Sequence, residues 1–255
     1  MKSRWLNLIL MAAITENLFA SSESVNFYEL LAVNFGLSAK LSPVFASLAV
    51  LFLTTLLGLL FQNNVKQRLA QADYSPPTKP GLIFALEAIC EFIYSLAQDQ
   101  CHKYTKTLAP FLLGVFLFVL LNNLSGLIPG FPPATEDFNT NLSLGILVFL
   151  VYNFFGLKEH GPHYIKQFMG PILVLAPFFL VLELISHSTR PLSLAFRLMA
   201  NIFADHLVLS VFSSIVPLVV PALLLFFGLL VACVQSFVFT MLTAVYISMA
   251  VSHDH

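Results

Sequence analysis

Five long apolar stretches, residues 41–65, 107–130, 139–157, 167–216 and 217–251, occupy most of this 255-residue chain. A helix needs about 20 such residues to cross roughly 30 Å of hydrocarbon, and each stretch supplies them. Lipid offers the backbone no hydrogen-bond partners, so segments of this kind satisfy their own N–H and C=O groups as helices. Composition agrees: 58% of residues are hydrophobic and 10% charged, the mean hydropathy is +0.86, and soluble domains carry about 25% charged residues. The expected fold is an all-α polytopic membrane protein with about five transmembrane helices. A formal net charge of −1 points away from a nucleic-acid partner.

Residues 41–255 read as a single membrane domain, and residues 1–40 as a separate N-terminal segment. Its start, "MKSRWLNLILMAAITENLFASS", has a basic end, a short apolar run and small residues near Ala20, as a signal peptide does, but Glu16 and Asn17 interrupt the run. A cleaved signal and a mobile first segment both fit. "DYSPPTKPG", residues 73–81, is a proline-rich connector that cannot be helical throughout. Over residues 82–104, Glu87, Glu91, Tyr94 and Gln98 recur at helical spacing against Ile89, Phe92, Ile93 and Leu96, which suits an interfacial amphipathic helix. "PGFPPATEDFNTN" is an acidic, turn-rich loop without Lys or Arg, and "KEHGPHYIK" a short basic one. The last two stretches exceed a perpendicular crossing and are expected to tilt strongly or lie partly flat.

Orientation follows from the positive-inside rule. If the first span runs inward, Lys66, Arg68, Lys79, Lys103, Lys106, Lys158 and Lys166 face the cytoplasm, against Lys2, Arg4 and Lys40 outside. Glu136 and Asp137 then face out. Cys90, Cys101 and Cys233 have neither CxxC spacing nor an even count, and are read as packing residues. No internal repeat is visible.

The fourth stretch contains "RPLSLAFRLMAN", with Arg190 and Arg197 seven positions apart. A charge at mid-bilayer depth costs roughly 2.5–3.5 kcal/mol on insertion scales. On a helix at about 100° per residue, Glu183, Ser186, His187, Arg190, Arg197, Ser193, Asn201 and Asp205 fall on about one third of the circumference. From Glu183 to Asp205 this polar row is about 33 Å long, close to the hydrocarbon thickness. His206 projects to the opposite face. Lipid cannot solvate such a row, so it faces protein, water or both. With water reaching its two sides from opposite compartments, the helix forms a wall between two vestibules. Interhelical hydrogen bonds alone account for the serines and Asn201 but not for two arginines and a glutamate. In the last stretch Gln235 is the largest mid-helix polar group.

"RPLSLAFRLMANIFADH", followed by "VQSFVFTMLTAVYISMA", resembles the two signature helices of the a subunit of F-type ATP synthases. Weaker resemblance runs through "NNLSGLIPG" and "ATEDFNTNLSL", so it covers roughly residues 40–250. The resemblance implies the proton-translocating stator subunit of a rotary ATP synthase, with nucleotide chemistry on other subunits. It implies as partners a ring of c subunits, b-type peripheral stalk subunits, other ATP synthase subunits and the lipid bilayer. By position, Arg197 matches the essential arginine facing the ring, and Asn201 and Gln235 match polar residues beside it. Glu183 matches a carboxylate associated with proton passage, Ser193 a small polar position near the arginine, and His206 a position in the half-channel open to the outside. Arg190 and His187 are secondary: an interface or positioning charge, and a satisfied hydrogen-bonding residue.

Three positions depart from the family pattern, among them Asp205, where relatives in the family often have Gly. Gly228 stands where many bacterial relatives have His and mitochondrial ones Glu, and Gly126 where some have Asp. Asp205 is a titratable group gained on the facing helix, so it is expected to take over relay work. The rivals are a secondary transporter, which calls for inverted repeats and broken helices, and a membrane-embedded enzyme with His160 and His163 as a metal pair, which has no supporting cluster. There is no GxxxxGK[ST] nucleotide loop, and no cofactor or metal site is expected. The lack of a mitochondrial-style leader and the acidic outer loop point to a bacterial inner membrane.

Overall fold

The computed structural model describes residues 26–34, 36, 38–70, 81–128, 130–161, 176–215 and 219–252. Among them every regular element is helical: α1 (Phe27–Asn34), α2 (Ser42–Ala70), α3 (Leu82–Cys101), α4 (Thr105–Ser125), α5 (Phe138–His160), α6 (Ala176–Ile215) and α7 (Val219–Val251), with 3-10 turns at Ala39–Leu41, His102–Tyr104 and Ala134–Glu136. The signal-like residues 1–22, the connector up to residue 80, and His163 lie outside the described residues.

Among the described residues five apolar runs are long enough to cross a membrane, and α3 and α4 together make one of 44 residues. The chain is thus an all-α polytopic membrane protein. In α2 only 11% of the most apolar window is buried inside the protein, and Phe52 is 71% exposed. A surface of that kind has lipid as its solvent.

The helix boundaries have local causes. Between α3 and α4, His102 takes a positive φ of 25°, and Thr105 Oγ1 donates to the His102 carbonyl at 2.8 Å. The second apolar stretch leaves the helix at Ser125 rather than running to residue 130, where Gly126 opens a turn and Gly130 adopts a left-handed φ of 88°. Asp137 accepts from the Thr140 N–H at 3.1 Å, satisfying one free donor at the start of α5.

On α3 the residues buried in protein are Leu86, Ile93, Leu96, Ala97 and Cys101, while Phe92 is exposed. Two expectations are corrected. Lys158, Glu159 and His160 are the last turn of α5 rather than loop, because Lys103 Nζ and the Tyr104 hydroxyl both donate to Glu159 at 2.6 Å and hold that end of the helix. Cys233 is exposed on α7 rather than packed, whereas Cys101 is buried.

By compactness the chain divides into two units. One comprises Met1–Ala49, Val119–Ser143 and Leu194–Ser236; the other comprises Val50–Phe118, Leu144–Ser193 and Phe237–His255. In the first, α1 docks on the loop after α4. Asn26 caps α1 by accepting from the Tyr28 and Glu29 N–H groups, the Phe27 N–H donates to the Gly130 carbonyl at 3.1 Å, and Phe27 stacks on Phe131 at 5.1 Å. Tyr28, Ala46 and Ala134 form the small core beneath, with Phe45 and Phe131 against it.

Candidate functional site

In the unit that holds Leu144–Ser193, a buried aromatic platform organises the N-terminal half of α6. Tyr152 of α5 is 1% exposed, its ring 5.8 Å from that of His187 and 6.3 Å from that of Tyr246. The Arg190 guanidinium carbon lies 5.8 Å from the Tyr152 ring and 5.5 Å from the Tyr246 ring, a double cation–π arrangement. One turn away His187 Nδ1 sits 3.1 Å from Glu183 Oε1. The neighbouring backbone approach is tight: a Cβ added to Gly145 of α5 would stand 2.7 Å from the Pro191 carbonyl oxygen of α6. Only glycine permits that approach.

In the other unit the loop between α4 and α5 is built rather than slack. The Thr135 hydroxyl donates to Asn123 Oδ1 at 3.0 Å, and Asn141 Nδ2 donates to the Thr135 carbonyl at 2.7 Å. All three residues are buried. This lattice fixes the 3-10 turn Ala134–Glu136 and presents Glu136, whose Oε2 lies 3.4 Å from His206 Nδ1 of α6. The other ring nitrogen of His206 faces the Gly126 backbone: a Cβ there would come within 3.3 Å of Nε2 and 2.9 Å of Pro133. A Cβ on Gly228 would likewise meet Leu127 Cδ2 at 2.9 Å. Both glycines therefore have a packing reason.

Arg197 stands apart. On this part of α6, Leu194, Ala195, Leu198 and Ile202 are buried, while Arg197 is exposed between the exposed Phe196 and Phe203. Among the described residues Arg197 makes no hydrogen bond, ion pair or ring contact. Asn201 and Gln235 are half-buried and make no hydrogen bond among the described residues. Ser193 is exposed, its hydroxyl turned back to the Arg190 carbonyl at 3.0 Å. Asp205 is half-buried beside His206 in sequence.

The residues expected from the sequence thus separate into a packed set (His187 and Arg190, with Glu183 at its edge), a pair formed with a loop acid (His206 with Glu136), and an open set (Arg197, Asn201, Gln235). The only advance sign of Glu136 was an acid in a loop lacking cations. No group of three or more potential metal-ligating side chains occurs among the described residues.

The sequence profile of a family described as "ATP synthase A chain" matches residues 43–248. ATP synthase subunit a of Bdellovibrio bacteriovorus is 46% identical over 186 residues, which is 72% of this chain and 81% of that protein. ATP synthase subunit a 2 of Syntrophotalea carbinolica is 42% identical over 175 residues, covering 69% of this chain and 75% of the relative. ATP synthase subunit a of Geobacter sulfurreducens is 39% identical over 175 residues, covering 69% and 76%.

Proposed function

This chain belongs to the ATP synthase A chain family, and from that premise we propose that Arg197 is the fixed charge separating two aqueous half-channels against a ring of c subunits. Family membership makes the chain a subunit of the proton-translocating membrane sector of an ATP synthase complex. The half-channels, the ring contact, the b-type stalk contact and a bacterial inner membrane are our reading. That Arg197 is exposed on an apolar flank and has no partner among the described residues carries it. A guanidinium is not left in hydrocarbon, so its partner comes from another subunit.

The chemistry follows from the guanidinium. It keeps its proton at any physiological pH, and a carboxylate brought within ~4–6 Å of it is held ionised, with a pKa lowered by about 1–3 units. Each ring carboxylate arriving at Arg197 gives up its proton before it passes, and the same charge repels a proton attempting to cross directly. With water on two sides that do not communicate, a carboxylate loads from one and unloads to the other only after the ring has turned nearly a full circle. Each charge carried through 100 mV delivers about 2.3 kcal/mol, which appears as torque. Asn201, Gln235 and Ser193 flank the crossing as neutral polar groups, Glu183 serves the inner path, and His206 with Asp205 the outer one. Arg190, held between two tyrosines, positions the helix.

Arg197→Ala is expected to abolish ATP synthesis driven by an imposed proton gradient in membrane vesicles, and Arg197→Lys to come close, because a desolvated ammonium releases its proton whereas a guanidinium does not. A fully coupled Arg197→Ala enzyme would end the proposal.

A further inference from the structure

We propose that Glu136 is a proton-carrying residue of the outer half-channel, acting as one unit with His206. This rests on the half-channel reading above and names a member of the path that the helices alone do not supply.

Three observations lead there. Glu136 Oε2 and His206 Nδ1 are 3.4 Å apart, short enough for direct proton exchange with a small approach. The acid is held rather than floating: Asn123, Thr135 and Asn141 pin its turn from below, the Glu136 N–H donates to the Pro133 carbonyl at 3.1 Å, and α1 packs against the adjoining Phe131. Finally, the opposite side of the imidazole ring is closed to any other side chain from the turn: Gly126 has none, and a Cβ there would stand 3.3 Å from His206 Nε2 and 2.9 Å from Pro133. The carboxylate facing His206 Nδ1 is that of the loop residue Glu136. The charged group adjoining His206 on its own helix is Asp205, and none of the other ion pairs among the described residues involves His206.

The transfer balances without any other reactant. A proton from outer water joins a Glu136 carboxylate oxygen and passes to Nδ1 of the neutral imidazole. The imidazolium so formed releases the Nδ1 proton to a water molecule on the inner side, which carries it on as hydronium, while Nε2–H keeps its hydrogen bond to the Gly126 backbone. Only O–H and N–H bonds are made and broken, and the chain ends as it began.

The test uses the intact ATP synthase in membrane vesicles, with ATP-driven acidification and gradient-driven synthesis each expressed per assembled chain. Glu136→Gln, nearly isosteric, is expected to lower flux roughly tenfold or more, within the range of lost acid–base assistance. Glu136→Asp should recover part of the loss. His206→Gln should cause a comparable loss, and the double variant should be no worse than the more severe single one. Flux within about twofold of the parent in Glu136→Gln overturns the proposal, as does a double-variant loss equal to the product of the two single losses. Glu29→Gln, removing an exposed acid on α1, should leave flux unchanged; an equal loss there means bulk surface charge and also overturns it. If Glu136→Gln fails to assemble, the exchange Glu136→His with His206→Glu decides: assembled complex with flux at or above that of His206→Gln supports the pair, and assembled complex without flux rejects it. Arg197→Ala in the same vesicles separates the layers. If it remains coupled, the half-channel reading falls; if it is dead while Glu136→Gln is fully active, only the pair falls.

Discussion

Arg190 and Arg197 are seven residues apart on one helix and have opposite surroundings. Arg190 lies against Tyr152 and Tyr246; Arg197 has no partner among the described residues. Removing the first costs packing and cation–π energy, about 0.5–2 kcal/mol. Arg190→Ala should lower the thermal unfolding temperature of the detergent-solubilised protein while leaving measurable proton flux, and Arg190→Lys should fall between. Asp205 poses the complementary question. With no side chain at Gly228, it is the acid gained on α6, and Asp205→Asn should reduce flux in vesicles; unchanged flux would remove it from the path. The existence of a polar row was legible in the sequence, because helical periodicity is a local property that aligns Glu183, Arg190, Arg197 and Asn201. Partnership was not. Glu136 meets His206 across 70 positions of chain, and the tyrosine pair around Arg190 comes from two other helices.

At the scale of elements, glycine separates close contacts from open surface. Gly145 lets α5 approach α6 so closely that a Cβ would stand 2.7 Å from the Pro191 carbonyl. Backbone there cannot yield as a flexible side chain does. Gly145→Ala should destabilise the protein by about 1–3 kcal/mol, the usual cost of overpacking, whereas Gly58→Ala in α2, with nothing within 4 Å of its Cβ, should be neutral or stabilising by up to about 1 kcal/mol. Thermal unfolding of the two variants side by side checks both. The spanning helices lie where long apolar runs lie, because length and hydropathy dictate them residue by residue. Their ends were less legible. Helix α5 extends through His160 because distant Lys103 and Tyr104 grip Glu159, and α4 ends at Ser125, five residues inside an apolar run.

For the whole molecule, the class of fold was readable from the first apolar stretch to the last, since lipid imposes one solution on such segments. What escaped was α1. Its eight residues, "FYELLAVN", are too short to span and carry no strong periodicity, so nothing local announces that they dock on a loop about a hundred positions downstream. That docking implies an order of events during synthesis. Residues 27–34 emerge long before Gly130 and Phe131, and so distant a contact forms slowly. The strap closes only once α4 has been threaded into the bilayer and the turn behind it has emerged, so this corner of the molecule is assembled late, from the oldest part of the described chain folding onto a much younger one.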